Sequence, residues 1–169
     1  MANILNNNIL TTNFEQKLKY ADITPVLKKE ATTDKKNYRP ISLLPATAKI
    51  FEKLMQKQIG EYMNKYLSSF LCVYRKGYNA QHALLSLLEK WRISLDNKGY
   101  SGAILMDLSK AFDTLNHDLL IAMLNSYGKD KDALKLIRSY LTNRWQRTKI
   151  NKSFSSWVEL IIGVPKDQC

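Results

Sequence analysis

The chain has 169 residues, 45% of them hydrophobic and 24% charged, with a formal net charge of +11. These proportions suit one globular domain, or a piece of a larger protein, with enough apolar side chains for a sizeable core. They exclude an integral membrane chain of the helical kind, because no apolar run approaches the length of a transmembrane helix.

The N-terminus lacks the basic and apolar regions of a signal peptide. Cys72 and Cys169 lie far apart without histidines at metal spacing, so an intracellular chain with free thiols is expected, with neither a zinc site nor a disulfide framework. The positive charge is concentrated. Residues 17–57 hold ten Lys/Arg against four acids, residues 129–152 hold eight against two, and the remainder sums to about −1. Such a distribution fits a polyanion lying along two basic surfaces, with nucleic acid ahead of a membrane surface, although a solvated basic face has the same composition.

In chain order, the Asn/Thr-rich first thirteen residues predict little order, and a poorly ordered segment is drawn over residues 1–16. The β-branched and aromatic bias of residues 20–27 predicts a strand, with Pro25 placing it at an edge or a bulge. Residues 28–37 form a lysine-rich loop, and Pro40 and Pro45 bracket an extended segment. From Ala46 to about Tyr66 the apolar residues Ile50, Phe51, Leu54, Met55, Ile59, Tyr62 and Met63 fall at helical spacing, opposite Lys49, Lys53 and Lys57. Residues 67–78 read as strand or loop. Asn79 is the expected cap of a second helix whose buried stripe is Ala83, Leu84, Leu87, Leu88 and Trp91, with Gly99 as its left-handed exit.

Four apolar residues, Ala103 to Met106, predict a short buried strand that ends at Asp107. A carboxylate at the tip of a buried strand can hold a metal ion rigidly beside a phosphate, although a lone Asp there more commonly caps the next turn. Asn116 caps a third helix ending at Gly128, and a fourth covers residues 130–141 with Ala133, Leu134, Ile137 and Leu141 inward. Two strand-like runs, 145–150 and 154–162, close the chain around the turn at Asn151. Helices and strands mix without regular βαβ alternation, so the class is α+β.

Four motifs, Ile23-Thr-Pro-Val-Leu-Lys-Lys29, Asn37-Tyr-Arg-Pro-Ile-Ser-Leu-Leu44, Met106-Asp-Leu-Ser-Lys-Ala-Phe-Asp-Thr-Leu-Asn-His117 and Gly163-Val-Pro165, recur in one order. Together they resemble the reverse transcriptases of non-LTR (LINE-type, jockey-like) retrotransposons over about residues 17–165. The resemblance implies the fingers and first part of the palm of a right-hand polymerase, drawn as one partial domain over residues 17–169. It also implies RNA-directed DNA synthesis with Mg2+, an RNA template, a DNA primer and deoxynucleoside triphosphates.

By the same resemblance Asp107 matches the first catalytic aspartate, a ligand of the metal ions. Phe112 matches the aromatic under the deoxyribose that screens out a 2′ hydroxyl. Arg39 matches the arginine on the incoming phosphates, where a planar guanidinium suits bidentate contacts. Lys28 and Lys29 are candidate helpers beside it, or else a solvated hairpin tip. Asp113 is expected to hold the turn after the strand, and His117 to pack or cap. An Asp107/Asp113 metal-hydrolase pair is disfavoured by the spacing and by the lack of further clustered carboxylates or histidines.

The family continues Gly-Val-Pro with Gln-Gly-Ser and later presents a Tyr-x-Asp-Asp hairpin. Here Lys166-Asp-Gln-Cys169 follows instead, which a single-base loss upstream would generate, and no Asp-Asp pair occurs. These departures predict a partial domain without appreciable polymerisation, with a non-catalytic nucleic-acid-binding remnant as the alternative. Without further palm strands, residues 103–106 and 157–162 are expected to be partly uncovered.

Overall fold

The computed structural model describes residues 2–28, 33–68, 70–72, 75, 77–108 and 111–165. It is a mixed helix-and-sheet structure that divides into two compact units, residues 1–53 with 109–169, and residues 54–108.

The first unit is built on a sheet. Strand β1 (Tyr20–Leu27) pairs antiparallel with β2 (Tyr38–Leu43) and parallel with β3 (Arg144–Ile150), while β4 (Ser153–Phe154) and β5 (Val158–Leu160) both pair antiparallel with β3. β1 occupies the residues predicted for it. Only residues 20–23 of it pair with β3, so Pro25, opposite Pro40, sits where β1 has become an edge and its missing N–H breaks no β1–β3 hydrogen bond.

Alternation divides the sheet chemically. Ala21, Ser42 and Arg144 are buried on one face, against a core of Phe14, Ala48, Phe51, Leu136, Ile137 and Leu141. Phe14 packs its ring 4.9 Å from Phe51 and 5.2 Å, edge-on, from Tyr140. These three rings come from three distant segments. Phe51 lies on α2 (Ala46–Met63), and Tyr140 on α5 (Lys131–Leu141), whose Ser139 hydroxyl accepts the Phe14 amide at 2.9 Å. The Tyr140 hydroxyl donates to Glu52 at 2.5 Å.

α4 (His117–Ser126) and α5 start where their caps predict. The Asn116 carboxamide oxygen accepts from the Leu119 amide, the Asp130 carboxylate accepts from the Asp132 amide, and Gly128 leaves α4 with φ +77°. The first residues depart from expectation. Residues 2–10 are a helix, α1 (Ala2–Leu10), with Leu5 and Asn8 buried, because side-chain burial outweighs a composition poor in helix formers.

In the second unit, α3 (Ala80–Asp96) has the predicted Asn79 cap, reinforced as a capping box by the His82 ring accepting the Asn79 amide. Its predicted stripe is not buried: no residue of α3 is, and Leu84, Leu87 and Leu88 are exposed. The left-handed residue at its exit is Lys98 (φ +56°), not Gly99.

The predicted strand at 103–106 is a further correction. Residues 101–108 have no regular structure, and Ile104, Leu105 and Met106 are 90%, 94% and 88% exposed. An apolar run becomes a strand only where another strand supplies its hydrogen bonds and a second layer covers its side chains. Neither is present among the described residues. The run 157–162 is likewise mostly exposed.

Two cations lie in the first unit's interior. Arg144 is 2% exposed; its Nη1 donates to the Tyr140 carbonyl at 3.0 Å and its guanidinium lies 4.6 Å from that ring, while Nη2 has no hydrogen-bond partner among the described residues. Burial lowers its pKa, opposed by Tyr140 and Glu52. Burial, and next the charge of Arg144, holds Lys19 below its ordinary value of 10.5. The folded state therefore releases this proton before the unfolded state does, so stability increases with pH between the two values and is lowest below the folded one. Urea midpoints across that alkaline window are expected to rise in the parent and to stay flatter in Lys19→Met, which should be more stable near neutral pH by up to about 1 kcal/mol.

Candidate functional site

Arg39 and Lys28 meet at one end of the β1–β2 hairpin. Leu27 pairs with Tyr38, and the Lys28 amide donates to the Asn37 carbonyl at 2.6 Å, which extends the ladder by one step. The next turn, Lys35–Asn37, is capped by Asp34, whose carboxylate accepts from the Lys36 amide at 2.9 Å. Lys28, Lys35, Lys36 and Arg39 are all exposed, so this end of the hairpin is strongly cationic. Lys29 lies outside the described residues, as does the tail from Lys166 to Cys169.

A second constellation joins two sequence motifs. The Gly163 amide donates to the Leu115 carbonyl at 2.8 Å, the Val164 amide donates to the Phe112 carbonyl at 3.0 Å, and the His117 ring Nε2 lies 2.7 Å from the Gly163 carbonyl. His117, the first residue of α4, thus locks the segment after Phe112 to residues 163–165, as the packing role expected of it requires. Gly163 has φ +81°, and a β-carbon there would sit 2.8 Å from the Phe112 and Asp113 carbonyls. Only glycine fits. Beside this crossing a cleft of about 600 Å3 opens on the Ala21 face of the sheet, lined by Ile23, Pro40, Gln146, Val158, Asp113 and Val164. The Phe112 ring is half exposed.

Asp107 belongs to the unit of residues 54–108, and Arg39, Lys28 and Phe112 belong to the other. Its side chain is exposed on the irregular segment 101–108. Among the described residues no three His, Cys, Asp or Glu side chains are grouped to hold a metal ion. Asp107 offers the hard oxygen that magnesium prefers, but a single carboxylate does not form a two-ion site. Also among the described residues, no helix is long and apolar enough to cross a membrane.

Residues 26–165 match the family model described as reverse transcriptase (RNA-dependent DNA polymerase). The chain belongs to that family. It is 28% identical over 138 residues to the probable RNA-directed DNA polymerase from transposon BS of Drosophila melanogaster, covering 77% of this chain and 14% of that protein. It is 26% identical over 169 residues to the RNA-directed DNA polymerase from mobile element jockey of the same fly, covering 98% of this chain and 18% of that protein. The similarity to the polymerase from the X-element transposon, 28% over 139 residues, is of the same order. The chain is a reverse transcriptase segment of the non-LTR mobile-element lineage that its four motifs resemble. It spans less than a fifth of the length of these relatives.

The motif reading identified Gly163 and His117 without their mutual contact, because a contact between residues 46 apart leaves no local signal. Gly163→Ala in the reverse transcriptase segment is expected to cost roughly 1–3 kcal/mol, since it combines a left-handed backbone with a carbonyl clash. A urea midpoint unchanged from the parent would contradict the clamp.

Proposed function

We propose that these residues are the fingers and first part of the palm of an RNA-directed DNA polymerase, and that they bind a deoxynucleoside triphosphate beside an RNA template and a DNA primer. The observation that carries the reading is the match over residues 26–165, within which Lys28 and Arg39 share one cationic hairpin end. Arg39 clamps the phosphates through the planar fork of its guanidinium, and Lys28 adds positive charge beside it. Phe112, half exposed and held at its backbone by Val164, presents a flat apolar ring against the sugar and leaves no room for a 2′ hydroxyl.

Asp107 supplies one oxygen ligand for Mg2+, which when bound stabilises the charge that develops on the transferring phosphoryl group. Two adjacent dications need several carboxylates, so these residues alone are expected to bind the nucleotide without extending a primer. The alternative reading, nucleic-acid binding without catalysis, is favoured by the exposed position of Asp107 and by the lack, among the described residues, of a group of three metal-ligating side chains.

Titration with a labelled deoxynucleoside triphosphate in magnesium tests the nucleotide site. Arg39→Ala should weaken binding at least tenfold, consistent with about 1.5–3 kcal/mol for a charged hydrogen bond, and Arg39→Lys should restore part of it. Equal binding by Arg39→Ala and the parent would refute the assignment. A primer-extension assay tests the metal ligand: magnesium-dependent synthesis by these residues that vanishes in Asp107→Asn would overturn the expectation of binding without extension.

A further inference from the structure

The face of the sheet opposite Ala21, Ser42 and Arg144 carries a second kind of surface. Register places Tyr20 beside Trp145, Asp22 beside Arg147 and Lys149 beside Phe154 on this outer face. The Arg147 guanidinium lies 4.0 Å from the centre of the Phe154 ring and 4.5 Å from that of Trp157, and the Lys149 ammonium lies 5.5 Å from the Phe154 ring. Tyr20 meets Trp157 edge-on at 5.0 Å. Asp22 accepts from Arg147 Nε at 2.7 Å and fixes the guanidinium against both rings. Yet Tyr20, Phe154 and Trp157 remain 38%, 48% and 38% exposed.

We infer that this face is a stacking platform for single-stranded nucleic acid. Charge supplies the first argument. The parallel ladder Tyr20–Trp145 to Ile23–Thr148 sets side by side the two sequence stretches that each carry a net charge of +6, and the second of them places Arg147 and Lys149 on the outer face. The chemistry of the rings supplies the second. Exposed aromatics interleaved with cations bind an unpaired strand by stacking its bases while the cations meet its phosphates. An apolar protein partner would have to desolvate the Arg147–Asp22 ion pair, and Lys149 without compensating its charge. A duplex keeps its bases inside and could use the cations alone. None of these residues is assigned to the nucleotide site, so this inference and the proposed polymerase reading fail separately.

Fluorescence anisotropy of labelled oligothymidylate and oligouridylate, with a duplex of equal length, tests the platform on the 169-residue chain. Trp157→Ala and Phe154→Ala should each lower single-strand affinity roughly five- to a hundredfold, the range for one lost base stack, while duplex affinity and the salt slope stay unchanged. Trp157→Phe should retain most of the affinity. A preference for the thymidylate or the uridylate strand identifies DNA or RNA as the ligand, and either supports the platform. Parent-like single-strand binding by both alanine variants overturns it, as does an equal loss on duplex, or a change confined to self-association.

Because an alanine variant could fail to fold, the intact protein supplies a second measurement. Its tryptophan fluorescence should be quenched by the oligonucleotide, and that quenching should shrink in Trp157→Phe. Absence of quenching in the parent at saturating oligonucleotide overturns the inference.

Discussion

The larger unit depends on a parallel pairing of four residues. Residues 20–23 of β1 lie against residues 145–148 of β3, and the Trp145 amide donates to the Lys19 carbonyl at the start of the ladder. A parallel pair cannot be closed by a tight turn, and ordering so long a connection costs entropy that four backbone pairings do not offset. The core supplies what the ladder lacks. Phe14, Phe51 and Tyr140 arrive from before β1, after β2 and before β3, and their rings meet at 4.9 to 6.4 Å. Ring packing of this kind contributes on the order of 1 kcal/mol per pair beyond the area it buries. Once β1 and β3 are joined, other positions follow. β2 carries Arg39 from one side, and β5 leads the chain to Gly163 on the other.

The second constraint is Gly163, where two distant chain segments cross. The segment after Phe112 and the segment after β5 cross so closely that no side chain fits between them, and the His117 ring closes the crossing. Residues 112–117 and 163–165, which belong to two of the family motifs, are therefore physically one structure, although each reads locally as an ordinary turn. A residue that must be glycine for sterics and a histidine that must accept or donate one hydrogen bond are structural requirements. They hold the backbone of Phe112 in place while leaving its ring half exposed.

What could be read from the sequence divides along physical lines. β1, and the starts of α3, α4 and α5, were legible because strand propensity and the caps Asn79, Asn116 and Asp130 act within a few residues. The mixed helix-and-sheet class was legible for the same reason. Burial was not. The stripe of α3 and the run 103–106 have the right periodicity and composition, yet pattern specifies only what a segment could cover, not whether a partner is present. The exit of α3 shows the limit on a smaller scale. Gly99 was the obvious left-handed residue, but the Gly99 amide bonds to the Ser94 carbonyl and Lys98 takes the positive φ. The outer-face aromatics left a visible trace, Trp145, Arg147, Lys149, Phe154 and Trp157 in one short stretch, but their union with Tyr20 depends on a pairing that no local signal encodes.

The buried Arg144 joins folding to the outer surface. As the first residue of β3 it points inward, and alternation then sends Trp145, Arg147 and Lys149 outward and Gln146 and Thr148 toward the cleft. A slip of one residue would exchange these sets, sending two cations and an indole inward and stripping the outer face of its rings' partners. In the native register the Arg144 Nη1 meets the Tyr140 carbonyl, and its guanidinium lies over the Tyr140 ring. A slipped strand would forfeit both while still having to place a charged head group. Arg144 therefore contributes to a unique register more than to raw stability, because its desolvation and its Nη2, without a hydrogen-bond partner among the described residues, weigh against the hydrogen bond from its Nη1.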